Sequence, residues 1–176
     1  MLYFVRHGQT DANLNRINAG GGPGADIPLN ETGMGQARAF SVAHQAFIES
    51  LDAVFVSPMI RAQQTAELIL AGHNKPVFTN EDLREMLLGE WEGKSYDISL
   101  DFFEAQREPE GGETWLQFRT RSIRALKQAA ASHEGKVLVV AHGGIWFNYA
   151  HQTSHPELFI ENCARLDICR IKLAGL

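Results

Sequence analysis

The sequence predicts an α/β fold, a single three-layer α/β/α domain with a mainly parallel sheet. Short apolar runs alternate with longer segments of helical period, the pattern of a sheet covered by helices. The strongest strand candidates are apolar without alternation, as strands buried on both faces must be. The length of 176 residues, with 44% hydrophobic and 21% charged side chains, is enough for one packed core, so residues 1–176 are read as one domain.

In chain order, Leu2 to Val5 is the first strand and stops at Arg6. Asn30 is placed to N-cap a helix running to about Ser50. Ala53 to Val56 is the second strand, and Ser57 followed by Pro58 reads as N-cap and first residue of a second helix. That helix carries a core-facing stripe of Met59, Ala62, Ala66, Ile69 and Leu70, with Gly72 at its C-terminus. Val77 to Thr79 is a weaker strand. A third helix runs from about Glu113 to His133, with Leu116, Ile123, Leu126 and Ala130 on one face. Val137 to Ala141 is a buried strand, and Leu166 to Leu173 reads as a half-exposed edge strand. The run Gly20-Gly21-Gly22-Pro23-Gly24 is a loop, read as a flexible surface segment as readily as a part of any site.

Sixteen Lys plus Arg against 21 Asp plus Glu give a formal net charge of −5, which argues against nucleic acid or an anionic membrane as partner. No apolar run approaches the ~18 residues of a membrane helix, and no secretory signal is recognisable. Cys163 and Cys169 are too few for a disulfide framework and are read as free thiols of a cytoplasmic protein.

Chemistry-bearing residues collect just after the strands, where open α/β sheets bind ligands. Arg6-His7-Gly8 follows the first, Ser57-Pro58-Met59-Ile60-Arg61 the second, and His142-Gly143-Gly144 the fourth. Arginine forks match phosphate oxygens, imidazoles and helix N-termini add to them, and glycines let backbone approach a ligand. This is a pocket for a dianion such as phosphate. Both histidines sit in the same context, so the residues alone leave open which of them attacks.

The segment Leu2-Tyr3-Phe4-Val5-Arg6-His7-Gly8-Gln9-Thr10 resembles the opening of the histidine phosphatases, in the branch of cofactor-dependent phosphoglycerate mutase. Further blocks match in the family's order: Asn13; Pro28 to Gly33; Ser57-Pro58 with Arg61-Ala62 and Gln64-Thr65-Ala66; Leu83-Arg84-Glu85; Gly89 to Gly93; Gly111-Gly112-Glu113; and Val139 to Gly144. The resemblance spans nearly the whole chain. It implies a phosphoglycerate mutase-like fold and a phosphomonoesterase acting on a small phosphorylated substrate. His7 would be the nucleophile that forms a phosphohistidine, and Arg6, Arg61 and His142 the clamp on the equatorial oxygens, with Asn13 and Gly143 also lining the phosphate site. Glu85 would protonate the leaving alkoxide and then activate water, a task that requires a carboxyl protonated near neutrality. This scheme calls for no metal and no cofactor.

Other readings stand beside these. Glu90, Glu92 and Glu113 lie near Glu85 in sequence, in matching blocks of their own, and are the alternative acids. His151 and His155 have an H-x3-H spacing that could suggest zinc with His142, but no paired Cys motif accompanies it. A mutase would re-donate the phosphoryl group. It is disfavoured because only Lys94 and Arg107 are basic between Glu85 and Glu113, and because Gly144 follows His142-Gly143 where mutases carry Asn. A third class is a module that binds a phosphorylated partner without turnover. The chain departs from the family at Ala12, where Trp is common, and at Gly20 to Asp26, in place of a Gly-Trp loop. Ile145, Trp146 and Phe147 are read mainly as helix packing, with an apolar leaving-group pocket as the alternative.

Overall fold

The computed structural model describes residues 1–98, 107–168 and 170–176. Five strands form one sheet: β1 (Leu2–Arg6), β2 (Ala53–Val56), β3 (Val77–Thr79), β4 (Val137–Ala141) and β5 (Arg165–Ile168), in the order β3-β2-β4-β1-β5. The first four are parallel, and β5 pairs antiparallel with β1.

Alternation along the strands builds two cores. Leu2 and Phe4 of β1 and Val137, Val139 and Ala141 of β4 face one layer, while Tyr3, Val5, Leu138 and Val140 face the other. On the first face lie the helices α5 (Trp115–Ser132) and α6 (Gly143–Thr153); on the second lie α2 (Glu31–Ala43), α3 (Gln45–Glu49) and α4 (Ile60–Ile69). A one-turn helix α1 (Asp11–Leu14) follows β1, and α7 (Arg170–Ala174) ends the chain. Among the described residues no helix is long and apolar enough to cross a membrane.

Four expectations need correction. The helix expected from Asn30 to Ser50 is capped by Asn30 as anticipated, its side chain accepting from the Gly33 amide at 2.9 Å, but it breaks at His44. The break lets Ile48 of α3 turn into the core. The second helix starts at Ile60 rather than Pro58, and its first amide is capped by the Asp26 carboxylate at 2.8 Å. Leu116 is 69% exposed, because Thr114 caps α5 through a capping box with Gln117. With that start, Phe118, Ser122, Ala125 and Ala129 join Ile123 and Leu126 on the buried side. The expected edge strand to Leu173 ends at Ile168, which pairs with Leu2 at the start of β1, and Arg170–Ala174 is helical instead. Cys163 is a buried free thiol, and Cys169 lies outside the described residues.

Candidate active site

The central strand β4 lines up the chemistry. Val140 pairs with Val5 on one side and Val56 on the other. The ladder continues one step further, with His7 N–H donating to Ala141 O (2.9 Å) and Ser57 N–H to Val140 O (3.0 Å). His7, Ser57 and His142 therefore stand abreast at one sheet edge.

The His7 ring is buried, and its Nδ1 lies 2.7 Å from the Gly8 carbonyl. A carbonyl only accepts, so Nδ1 carries the hydrogen and the lone pair is on Nε2. Nε2 accepts from Arg61 Nε–H at 3.3 Å. Burial, followed by the positive charges of Arg61 and Arg6, holds the imidazole well below its usual pKa. The result is a neutral ring whose lone pair faces cationic neighbours.

His142 lies edge-on to His7, ring centroids 5.2 Å apart, with Nε2 2.7 Å from Ser57 Oγ. Ser57, expected as a helix cap, instead spends its hydroxyl on this histidine and on the Met59 amide. Burial and the neighbouring cations, Arg61 first, keep His142 neutral as well. His142 is fully buried and is not part of the cavity wall, whereas Gly143 and Gly144 after it are. Its Nδ1 and the Nε of Arg6 are buried without a hydrogen-bond partner.

Arg61, 1% exposed, is held by its surroundings: Nη1 donates to Ala25 O (2.7 Å) and Nη2 to Gly20 O (2.9 Å). Gly20 to Gly22 are buried and the carbonyls of Gly20 and Ala25 brace this guanidinium, so the surface-loop reading holds only for Pro23 and Gly24 at the tip. Glu92 ties the loop down by accepting from the Gly22 amide (2.8 Å). A Cβ at Gly20 or Gly22 would displace the Glu92 carboxylate, and Gly20, at φ +65°, needs glycine besides. Arg6 donates from Nη1 to Ile160 O at 2.8 Å.

The four candidate acids separate cleanly. Glu85 lines the cavity, its Oε1 accepting from the Met86 amide (2.9 Å) and its Oε2 from the Gly144 amide (3.0 Å). Glu113 makes a two-point ion pair with Arg121 at 2.6 Å, and Arg121 in turn donates to the carbonyls of Asp82, Arg84 and Glu85. Glu92 holds the glycine loop, and Glu90 sits exposed opposite Lys94. Asn13 lines the cavity, with Oδ1 engaged by Thr10 and Nδ2 donating to Tyr96 Oη at 3.1 Å.

The cavity has a volume of about 460 Å³ and brings together Arg6, His7, Asn13, Arg61, Glu85 and Gly143. Of the bulky trio after His142, Ile145 and Trp146 are core and Phe147 reaches the cavity. His151 stacks on Phe147, and His155 Nδ1 accepts the Glu157 amide, so the H-x3-H pair is divided between packing and a turn. Among the described residues no group of three or more His, Cys, Asp or Glu could hold a metal ion.

Sequence reasoning missed Ser57 as the partner of His142, and it missed Arg121 and Tyr96 altogether. Tyr96 arrives because residues 16–18 pair with 93–96, through the Ile17–Ser95 bridge and the bond from Tyr96 N–H to Arg16 O.

Comparisons with known proteins point one way. The family model of the histidine phosphatase superfamily (branch 1) matches residues 2–164. An adenosylcobalamin/alpha-ribazole phosphatase of Salmonella typhimurium is 31% identical over 157 residues, covering 82% of this chain and 74% of that protein. A metal-independent phosphoserine phosphatase of Arabidopsis thaliana is 35% identical over 159 residues, covering 82% of this chain and 64% of that one. The crystal structure of the alpha-ribazole phosphatase from Shigella flexneri superposes with a TM-score of 0.78 at 25% identity, covering 93% of this chain and 87% of that one.

Proposed function

This chain belongs to the histidine phosphatase superfamily (branch 1), and from that premise we propose that it hydrolyses small phosphomonoesters through a phosphohistidine formed on His7. The observation that carries the reading is the neutral His7 ring, its Nε2 lone pair beside Arg61. Two buried nitrogens without a hydrogen-bond partner, Arg6 Nε and His142 Nδ1, belong to the same cluster, and the Arg6 N–H supports the reading. A phosphoryl oxygen supplies the acceptor that the Arg6 Nε–H lacks.

In the first step Nε2 of His7 attacks phosphorus in line, the bond to the ester oxygen breaks, and Glu85 delivers a proton to that oxygen. Arg6 and Arg61 carry the charge that spreads over the equatorial oxygens. In the second step water gives a proton to Glu85 and attacks phosphorus, the P–N bond breaks, and inorganic phosphate leaves. No step calls for a metal ion. Transfer to a second phosphorylated acceptor is disfavoured by the wall, whose only basic side chains among the described residues besides His7 are Arg6, Arg16 and Arg61. The reading takes residues 1–176 as one domain in the cytoplasm. The Cys163 thiol, free and pushed up to about 12 by burial, suits a reducing compartment.

The test is a rapid quench without acid during turnover of p-nitrophenyl phosphate, followed by peptide mapping. Phosphate is expected on the His7 peptide. Label on the His142 peptide alone would reverse the two roles, and no turnover would end the reading.

A further inference from the structure

The cavity has a second character beside its cationic one. Phe118 stands next to Glu85 and Gly144, its Cζ 3.1 Å from where a Gly144 Cβ would be. From Phe118 the rings continue in contact: Trp115 at 6.3 Å between centroids, Phe147 at 6.0 Å from Trp115, and Phe159 at 5.6 Å from Phe147. All four line the cavity, and Phe159 is 78% exposed. The chain of rings therefore starts at the acid and ends at the solvent-facing rim. The acid defines where the leaving oxygen sits, so whatever is attached to that oxygen lies along these rings.

Charge narrows the class further. Apart from the clamp and Glu85, the only formally charged side chain on the wall among the described residues is Arg16. It is 3.7 Å from Asp97 and lies over the Tyr96 ring, itself a wall residue. An amino-acid or sugar-acid leaving group would bring charges for which the described wall residues hold no dedicated partner, and unpaired charges are strongly rejected. An exposed phenylalanine at a pocket mouth is apolar area available to a ligand.

We propose that the substrate's leaving group is a large, uncharged aromatic or heteroaromatic alcohol that stacks on the Trp115–Phe147–Phe159 wall. The proposal rests on the phosphatase reading of the same cavity. Phe159 is its specificity residue: exposed and at the rim, it has little part in the core, so replacing it leaves folding intact.

The experiment compares 2-(1-naphthyl)ethyl phosphate, ethyl phosphate and O-phosphoserine as substrates of the wild type, Phe159→Ala and Phe159→Leu. The first two are esters of primary alcohols, so their leaving alkoxides match and their rates differ by contact with the wall. Calorimetry of 2-(1-naphthyl)ethylphosphonate and ethylphosphonate reads binding without turnover. The wild type is expected to favour the naphthyl ester by about 100-fold in kcat/KM, and Phe159→Ala to cut that ratio about tenfold, with Phe159→Leu restoring part of it. Tighter naphthyl phosphonate binding that weakens in Phe159→Ala upholds the wall even if no ester is hydrolysed, in which case the phosphatase reading falls alone. Equal binding of the two phosphonates, an unchanged preference in Phe159→Ala, or O-phosphoserine as the better substrate overturns the proposal while leaving hydrolysis intact.

Discussion

Gly144→Ala tests the placement of Glu85 without touching its carboxyl. The Gly144 amide donates to Oε2 at 3.0 Å, and an added Cβ would fall on Oε1 and lie 3.1 Å from Cδ. Restoring an ordinary contact of 3.5 Å or more moves the carboxylate by about 1 Å. A displacement of that size at a reacting group costs about 100-fold, or about 2.7 kcal/mol of transition-state stabilisation. Folding is affected in the opposite sense, since alanine is favoured over glycine within a helix by about 1 kcal/mol, which offsets part of the clash. The thermal midpoint is therefore expected to stay within about 4 °C of the parent. The assay is single-turnover phosphorylation by an alkyl phosphate and by p-nitrophenyl phosphate, whose phenolate leaves with little help from an acid. The alkyl ester should lose the full factor and the aryl ester far less. Equal losses on both would mean that the clamp, not the acid, had moved; no loss on the alkyl ester would remove Glu85 from the acid role. Glu85→Gln is a blunter probe, because its amide must turn an N–H toward the Met86 or Gly144 donor, and it should slow alkyl esters by about 10²–10⁴-fold.

Activity on p-nitrophenyl phosphate should survive excess EDTA undiminished; loss that is restored by a divalent ion would replace the phosphohistidine scheme with a metal-assisted one. His7 and His142 are held neutral in the fold but titrate near 6.5 once unfolded, so the unfolded chain binds more protons below that pH. Stability is therefore complete above pH 6.5 and falls on acidification by up to about 1.4 kcal/mol per pH unit for each histidine, read from urea midpoints between pH 7.5 and 5.5. His7→Gln should flatten that slope, and an unchanged slope would show that His7 is not a source of it. Glu92→Ala should cost about 1–2 kcal/mol and lower kcat/KM by releasing the loop that braces Arg61, while Glu92→Gln, which keeps an acceptor oxygen, should recover most of both. If the two Glu92 variants behave alike, the brace is not what Glu92 supplies.

That Arg6, His7, Ser57 and His142 come together could be read from the chain, because they sit at a place marked in the sequence. An apolar strand that stops at Arg6-His7, another at Ser57 and a third at His142 put their next residues at one sheet edge whatever the loops do. The contacts that position them left no such mark. Ser57 meets His142 across 85 positions, Asn13 meets Tyr96 across 83, and Glu92 meets Gly22 across 70. Such contacts depend on how loops pack, and no local spacing encodes them. The four carboxylates show the difference most directly: the resemblance favours Glu85 and leaves Glu90, Glu92 and Glu113 as alternatives, and their partners separate a carboxylate facing the cavity from a brace, a scaffold and a surface group. The element errors have the same origin. Leu116 and the overlong last strand rest on local pattern, whereas the helix begins at the Thr114 cap and the chain after β5 is helical at Arg170–Ala174.

The two halves of the cavity are also mechanically joined, and this bears on how its specificity can change. Three hydrogen bonds fasten the segment after Phe159 to the catalytic strand end: Arg6 Nη1 to Ile160 O (2.8 Å), Asn162 Nδ2 to His7 O (2.8 Å) and Cys163 N–H to Arg6 O (2.9 Å). One of them uses the Arg6 guanidinium, whose Nε is buried without a hydrogen-bond partner. Replacing the whole segment would shift the clamp together with the wall, lowering turnover of every substrate alike. A single ring exchange at Phe159 leaves those backbone and amide contacts in place and changes only what the leaving group touches. On the proposed reading, specificity is open to side-chain substitution and closed to loop exchange, because Phe159 and the Arg6–His7 strand end hang on the same few bonds.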